Sequence, residues 1–357
     1  MSEYRILTMN FGSTSTKAAV FQGEEVLCNE TLRHSREELA PIKTLAENAE
    51  FRLPLILSFL ERNGIAMDSL DAIVGRGGLT RPIQSGTYMV NDAMLEDLLA
   101  CRYGTHACNL GAILADKVAK PLGLPAYVVD PGVVDELCDL ARLSGHPDIP
   151  RRSVFHALNQ KAMARRFAAE NGKKYDELNL IVAHMGGGIT VGAHKQGQVV
   201  DVSNGTDGEG PYSAERTGSL PFINILQLVE SGAMGDTKDL RKLMSGGGGL
   251  AAYLGTTDGR AINERVQQGD EYAELVYHGM AYQIAKEIGA MGAVLCGKVD
   301  QIILTGGLAY DEMLMGWIKE QVSFLAPVTV YPGEDELTAL KEGAERVLRG
   351  EEEARTY

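Results

Sequence analysis

Asn10, Gly12, Ser13, Thr14, Ser15 and Lys17 crowd backbone N–H groups, hydroxyls and one ammonium into eight positions with little bulk. A phosphate group requires that chemistry: donors at close range, no side chain in the way, and a positive charge nearby. An ordinary hairpin turn has the same composition, so this stretch alone decides nothing. The layout returns half a chain later, in Leu180–Val200. With Asn10 placed on His184, an offset of 174, Gly12 falls on Gly186, Thr16 on Thr190 and Gln22-Gly23 on Gln196-Gly197. Gly186, Gly187 and Gly188 form the second small turn. Two matched strand–turn–strand–turn–strand units suggest a duplicated domain. Two such domains facing each other would put both turns on the walls of one cleft, each holding part of a polyphosphate.

Other positions carry chemistry singly. Arg76 stands between Gly75 and Gly77-Gly78 at the end of a short apolar strand, with room to reach an anion; a surface loop arginine is the plainer reading. Asp130 follows the apolar stretch Pro125–Val129. It is placed either for a metal or reacting group or as the N-cap of a helix over Val133–Leu143. His156 lies near a helix N-terminus, where the dipole disfavours its charged form, and a neutral imidazole could donate to a phosphoryl oxygen. Packing between domains is the alternative. Gly306-Gly307 follows another apolar strand and echoes Gly77-Gly78, which suits close approach of a nucleotide to backbone. Glu334-Asp335-Glu336 either complements a helix dipole or supplies an acid to a magnesium shell.

The elements that must position these residues are legible as apolar patterns. Strands are expected at the start of the chain, at Thr16–Phe21, Glu24–Leu32, Leu70–Val74, Gln301–Thr305 and Val328–Tyr331. Helical spacing marks Ile42–Asn63 with Pro54 inside, Ala93–Leu99, Cys108–Lys120, Glu271–Leu295 and Leu337–Leu348. A further helix opens at Arg151-Arg152 and Phe155-His156 and runs to about Asn171. The expected fold is α/β, with one domain over 1–150 completed by the C-terminal helix 337–357, and a second over 151–336.

The 357 residues suit two domains, and 45% hydrophobic content can bury sizeable cores. The net charge of −14, without a basic block, argues against nucleic acid. Five cysteines, with no CxxC, indicate neither a disulfide framework nor a zinc site and fit a reducing cytoplasm. No signal peptide or membrane-length apolar run is read, so no membrane partner is expected. There is no GxxxxGK[ST] and no GxGxxG.

Asn10–Lys17, His184–Gly188 and Thr305-Gly306-Gly307, in that order and at those separations, resemble the phosphate and adenosine motifs of the acetate and butyrate kinase family. That family belongs to the sugar kinase, Hsp70 and actin superfamily, so the resemblance implies two duplicated RNase H-like (actin-like ATPase) domains with a cleft between them. Gly75-Arg76-Gly77-Gly78 is shorter than the corresponding acetate kinase stretch. His184-Met-Gly-Gly-Gly188 replaces His-Leu-Gly-Asn-Gly. With the compact length and the Tyr331–Glu334 region, these departures are similar to the butyrate kinase branch, which includes branched-chain fatty-acid kinases.

What the resemblance implies can be carried over residue by residue. Arg76 would meet the substrate carboxylate, Asp130 would be the active-site aspartate, and His156 would contact the transferring phosphoryl group. Arg216 would be the second active-site arginine, and Asp258 and Arg260 the adenosine-side Asp-x-Arg. Asn10 and one of Asp335 and Glu336 would be linked to Mg²⁺, with Asp130 orienting the metal or its water. The implied partners are ATP or ADP, Mg²⁺ and a short-chain carboxylate, in a homodimer or larger homo-oligomer. A sugar kinase, needing an aspartate base for a hydroxyl, and an ATP-driven switch protein are the rival readings. A fatty carboxylate titrates near 4.3, so at pH 7 it is already a nucleophile and needs no general base. The protein has to supply charge neutralisation and in-line alignment.

Overall fold

The computed structural model describes residues 3–234 and 236–357. The chain forms two compact units. One runs to Val134 and takes back Asp335–Tyr357; the other is Asp135–Glu334.

The first unit is built on seven strands: β1 (Arg5–Phe11), β2 (Ser15–Gln22), β3 (Glu25–Arg33), β4 (Ala72–Arg76), β5 (Thr87–Met89), β6 (Ala126–Val129) and, at the C-terminus, β12 (Arg355–Thr356). Their order across the sheet is β12-β5-β6-β4-β1-β2-β3. β1, β2 and β3 form an antiparallel meander, while β4 runs parallel to β1 and β6 parallel to β4. Ile6–Phe11 is buried at every position. Its apolar residues, Ile6 on one face and Leu7, Met9 and Phe11 on the other, suit a strand covered on both faces, and each such side chain contributes roughly 1.5–3 kcal/mol. Gly75 of β4 lies against the backbone of Gly111 in the helix Leu110–Ala119, a contact that any side chain at either position would prevent.

The second unit repeats this plan with β7 (Asn179–Met185), β8 (Ile189–Lys195), β9 (Gln198–Val202), β10 (Gln301–Gly306) and β11 (Val328–Pro332), ordered β11-β10-β7-β8-β9. The meander is again antiparallel, and β10 and β11 again run parallel to β7. Five strands of the first sheet, β6-β4-β1-β2-β3, thus share one order and one set of directions with β11-β10-β7-β8-β9, which is the duplication expected from the sequence. The matched offset does not hold throughout. Asn10 faces Lys17 across the first hairpin, whereas His184 faces Thr190 across the second, so the second turn is one residue shorter.

Most expected helices form. Leu45–Arg62 starts in a capping box, Thr44 with Glu47, and continues through the exposed Pro54. Its buried face includes Leu45, Ala49, Ile56, Phe59 and Leu60, with Arg52 in the middle of that stripe. Glu271–Val294 is capped by Asp270 and packs Val276, Tyr277, Met280 and Ile284 against the second core. The C-terminal helix Glu336–Leu348 belongs to the first unit, where Thr87 Oγ1 donates to Gly343 O at 3.0 Å and the Tyr4 hydroxyl to Leu348 O at 2.8 Å.

Two expectations are corrected. Val133–Leu143 is not a helix; only Asp139–Arg142 is helical. Val134 instead makes a parallel bridge to Ile83, and Arg142 turns back to pair with Asp135 at 2.7 Å. Residues 135–150 pack with the second unit, through Cys138 N to Val200 O at 2.9 Å and Arg151 Nη1 to Ala141 O at 2.8 Å. The following helix begins at Ala157, with His156 at its N-cap position. Arg151 and Arg152 precede it, paired with Asp201, Glu209 and Asp207.

Candidate active site

In the first unit, Asn10 sits near the end of β1, 6% exposed. Its amide donates to Glu336, and Arg76 Nη1 lies 3.2 Å from the same carboxylate. The three acids before the last helix therefore do three different things. Glu334 pairs with His184 in the second unit. Asp335 is exposed and caps the helix, accepting from Thr338 N at 3.3 Å. Glu336 alone joins Asn10 and Arg76. Asn10 and Glu336 offer amide and carboxylate oxygens, the hard donors magnesium takes, in the small number usual when phosphates and water complete the shell. Among the described residues no group of three or more His, Cys, Asp and Glu is placed to cage a metal.

Asp130 is 1% exposed, directly after β6. Its Oδ1 accepts from Ser85 Oγ at 2.6 Å and Gly86 N at 2.8 Å, which fixes the plane of the carboxylate. Its φ of 37° lies in the left-handed region that side-chain-bearing residues avoid. Strain held in this way is a feature of functional positions. With no helix at 131–138, the N-cap reading of Asp130 falls.

The first turn closes with Gly12 N to Ser15 O at 2.9 Å, and its carbonyls are tied back. Arg52, 0% exposed, donates from Nη1 to Ser15 O (2.8 Å) and Thr16 Oγ1 (3.1 Å), and from Nη2 to Gly12 O (3.0 Å) and Ser13 O (3.2 Å). Its Nε donates to Asn48 Oδ1 at 2.8 Å. Burial lowers its pKa to about 10. Ser13, Thr14 and Lys17 are exposed.

In the second unit, the turn Gly186–Gly188 closes with Gly186 N to Gly188 O at 3.0 Å, and Ser213 Oγ donates to Gly187 O at 2.6 Å. The guanidinium of Arg216 lies against Gly188, in the space a side chain there would fill. Arg216 Nε is buried with no hydrogen-bond partner among the described residues, and burial pushes the group below the usual arginine range, against the opposing effect of Glu215. A buried donor left without an acceptor costs roughly 1–3 kcal/mol. The Arg216 Nε–H is therefore a donor for which the described residues supply no acceptor.

His156 stacks on His184 with ring centroids 3.8 Å apart and planes 13° apart. Its Nδ1 is 2.9 Å from Thr190 Oγ1. His184 is held by Asn159 Oδ1 at 2.8 Å and Glu334 Oε1 at 3.0 Å. Beyond these, Asp258, Arg260, Gly307, Leu308 and Asp311 help to line a cavity of about 850 Å³, large enough for a nucleoside. Asp258 caps the helix Gly259–Gln267 there, accepting from Arg260 N at 2.9 Å. Gly306, at the end of β10, pairs with Gly333.

Reading the sequence missed Arg52, Ser85, Asn159, Gln160 and Glu334's own role. An arginine inside an apolar helical stripe was the one available signal, at Arg52. The others become visible only through tertiary partners.

Residues 148–323 match the Acetokinase family. Over 355 residues the chain is 51% identical to Butyrate kinase 2 of Clostridium acetobutylicum, covering 99% of each protein. It is 50% identical over 354 residues to a probable butyrate kinase of Clostridium botulinum, again covering 99% of each. Among solved structures it is similar to the acetate kinase of Porphyromonas gingivalis, with a TM-score of 0.78 at 20% identity over 96% of this chain and 99% of that one. A propionate kinase from Francisella tularensis gives 0.74 at 18% identity over the same shares. These likenesses fix the fold as the duplicated actin-like α/β architecture. Half-identity across nearly every residue goes further, and the chain belongs to the acetokinase family.

Proposed function

We propose that this protein transfers the γ-phosphoryl group of ATP reversibly to a short-chain fatty carboxylate, butyrate or isobutyrate, giving acyl phosphate and ADP. The observation that carries the reading is Arg216: a guanidinium against a glycine turn, with a buried donor that no described residue meets, suits an anionic ligand. The names of the half-identical relatives point to the acid.

In this mechanism the carboxylate oxygen attacks the γ-phosphorus and the β–γ bridging oxygen leaves with ADP. Arg76 binds the carboxylate, and Arg216 offsets charge on the transferring group. His156 donates to a phosphoryl oxygen. The two glycine turns hold phosphates through backbone N–H groups, with Lys17 beside the first, and Asp258, Arg260 and Gly306-Gly307 hold the nucleoside. Mg²⁺ would be held by Asn10 and Glu336, with Asp130 orienting its water, and would neutralise the β- and γ-oxygens. Asp335, occupied in capping, is not assigned to the metal. We place the enzyme in the cytoplasm as a homodimer or larger assembly. The exposed Phe222, Ile223, Leu226 and Val229 on the helix Phe222–Glu230 suit a partner copy, which light scattering would detect. No helix among the described residues is long and apolar enough to cross a membrane.

The test is hydroxamate trapping of acyl phosphate with MgATP across acetate, propionate, butyrate, isobutyrate and longer acids. The highest turnover is expected with butyrate or isobutyrate. A maximum at acetate would replace the substrate assignment, and no hydroxamate with any acid would overturn the proposal.

A further inference from the structure

Behind His156 runs a buried chain of polar side chains whose donor and acceptor roles can be deduced one from the next. The backbone carbonyl of Thr190 can only accept, so the end of Gln160 that lies 3.0 Å from it is the amide nitrogen. The second N–H of that nitrogen goes to Thr190 Oγ1 at 2.9 Å. Gln160 Oε1 consequently faces His194 Nε2, 3.0 Å away, and that nitrogen must donate. His194 is fully buried; burial first, and then Lys161 and Arg165, hold it neutral. Its Nδ1 is therefore an acceptor, served by the Tyr175 hydroxyl at 2.7 Å. At the other end, Thr190 Oγ1 already accepts from Gln160. The buried hydroxyl also has one proton to give, and of its two neighbours among the described residues Gln160 Nε2 is a donor, so the acceptor for that proton is His156 Nδ1, 2.9 Å away. A neutral His156 whose Nδ1 accepts must carry its ring proton on Nε2.

We infer that Gln160, acting through Thr190 and backed by His194 and Tyr175, is a positioning residue that locks His156 in the Nε2–H tautomer. This rests on the role proposed for His156 and deepens it: the chain determines that His156 offers the phosphoryl group a donor rather than a lone pair. Stacking on His184 at 3.8 Å sets the plane of the ring, and the hydrogen-bond chain sets which nitrogen is protonated. Holding the tautomer beforehand spares the reaction that reorganisation, and a fixed donor aimed at developing charge is worth 10²–10³ in rate.

The experiment is ring ¹⁵N NMR of histidine-labelled full-length protein, with His156 assigned by its loss in His156→Ala. In the wild type, His156 and His194 should both be protonated on Nε2. In Gln160→Glu the new carboxylate can only accept, so the Thr190 hydroxyl turns toward it and His156 Nδ1 becomes the donor. The expected result is His156 switched to Nδ1–H and kcat down roughly 10²-fold, with KM for ATP within about threefold. Should that variant fail to fold, Thr190→Ser, which keeps the hydroxyl, should retain the tautomer and kcat, while Thr190→Val loses both. A wild-type His156 protonated on Nδ1, or a Gln160→Glu or Thr190→Val protein that keeps the Nε2–H form, would overturn the inference. Full activity in His156→Ala would instead remove the role of the histidine and leave its tautomer standing.

Discussion

The two glycine turns descend from one pattern, yet each is served by an arginine of opposite character. Arg52 spends every donor on the protein: five hydrogen bonds reach the turn Gly12–Ser15, Thr16 and Asn48. Arg216 stands against the turn Gly186–Gly188 with a buried Nε that bonds to nothing among the described residues. A guanidinium carries five donors, and counting how many the fold consumes separates a structural arginine from one kept for a ligand. The threonines that follow the turns show the same division. Thr16 Oγ1 is held by Arg52 and His34, whereas Thr190 Oγ1 is held by the neutral amide of Gln160 and by His156. In the second unit the turn and its threonine are held by Ser213, Gln160 and His156, and the Nε of Arg216 takes no part in holding them.

The comparison breaks most sharply at Arg216. Under the role proposed for Arg216, Arg216→Ala should lower turnover on the order of 10³-fold with circular dichroism unchanged. Activity within a few-fold of wild type would return Arg216 to the structural class. Arg52→Met should do the reverse. Four acceptors of the first turn and its flanking threonine each lose a hydrogen bond, one buried and three partly buried, and unfolding free energy should drop by about 3 kcal/mol, read from the urea midpoint. A stable Arg52→Met protein with impaired turnover would mean that this guanidinium also reaches the ligand.

Gly188→Ala sharpens the contrast at smaller scale. Gly188 has no positive φ, so the backbone accepts alanine, but the added methyl takes the place of the Arg216 guanidinium. Displacing that group by about an ångström should lower kcat/KM for ATP on the order of 10²-fold, with thermal stability nearly unchanged. Equal losses in stability and rate would show that the turn, rather than the arginine, had been disturbed.

How far these roles were legible follows from how local each one is. Both hairpins were readable, because an apolar run feeding a small-residue turn is a contiguous signal. The one-residue shortening of the second turn was hidden by an ungapped offset that matched Thr16 to Thr190. The helix expected over Val133–Leu143 came from an apolar run too short to separate periods of two and 3.6; pairing with Ile83 settled it. Glu334, Asp335 and Glu336 looked interchangeable because adjacency in sequence carries no direction, and the backbone sends them to His184, a helix cap and Arg76 in turn. Gln160 was unreadable because its meaning lies in partners thirty or more positions away, whereas Arg52 left one local sign, a charge inside an apolar helical stripe.

The smallest expected effect lies at the first turn itself. A Cβ at Gly12 would meet only Ser15 Oγ at 3.0 Å and Ser15 O at 3.8 Å, and that hydroxymethyl can rotate aside. Gly12→Ala should therefore leave unfolding free energy within about 0.5 kcal/mol of wild type. Its effect on nucleotide is then cleanly readable, because no change in the fold obscures it. If a phosphate rests on this turn, the methyl narrows its approach, and KM for ATP should rise a few-fold, by roughly 0.5–1 kcal/mol of binding. An unchanged KM would place the phosphate elsewhere and leave the Arg52 clamp as a device of stability alone.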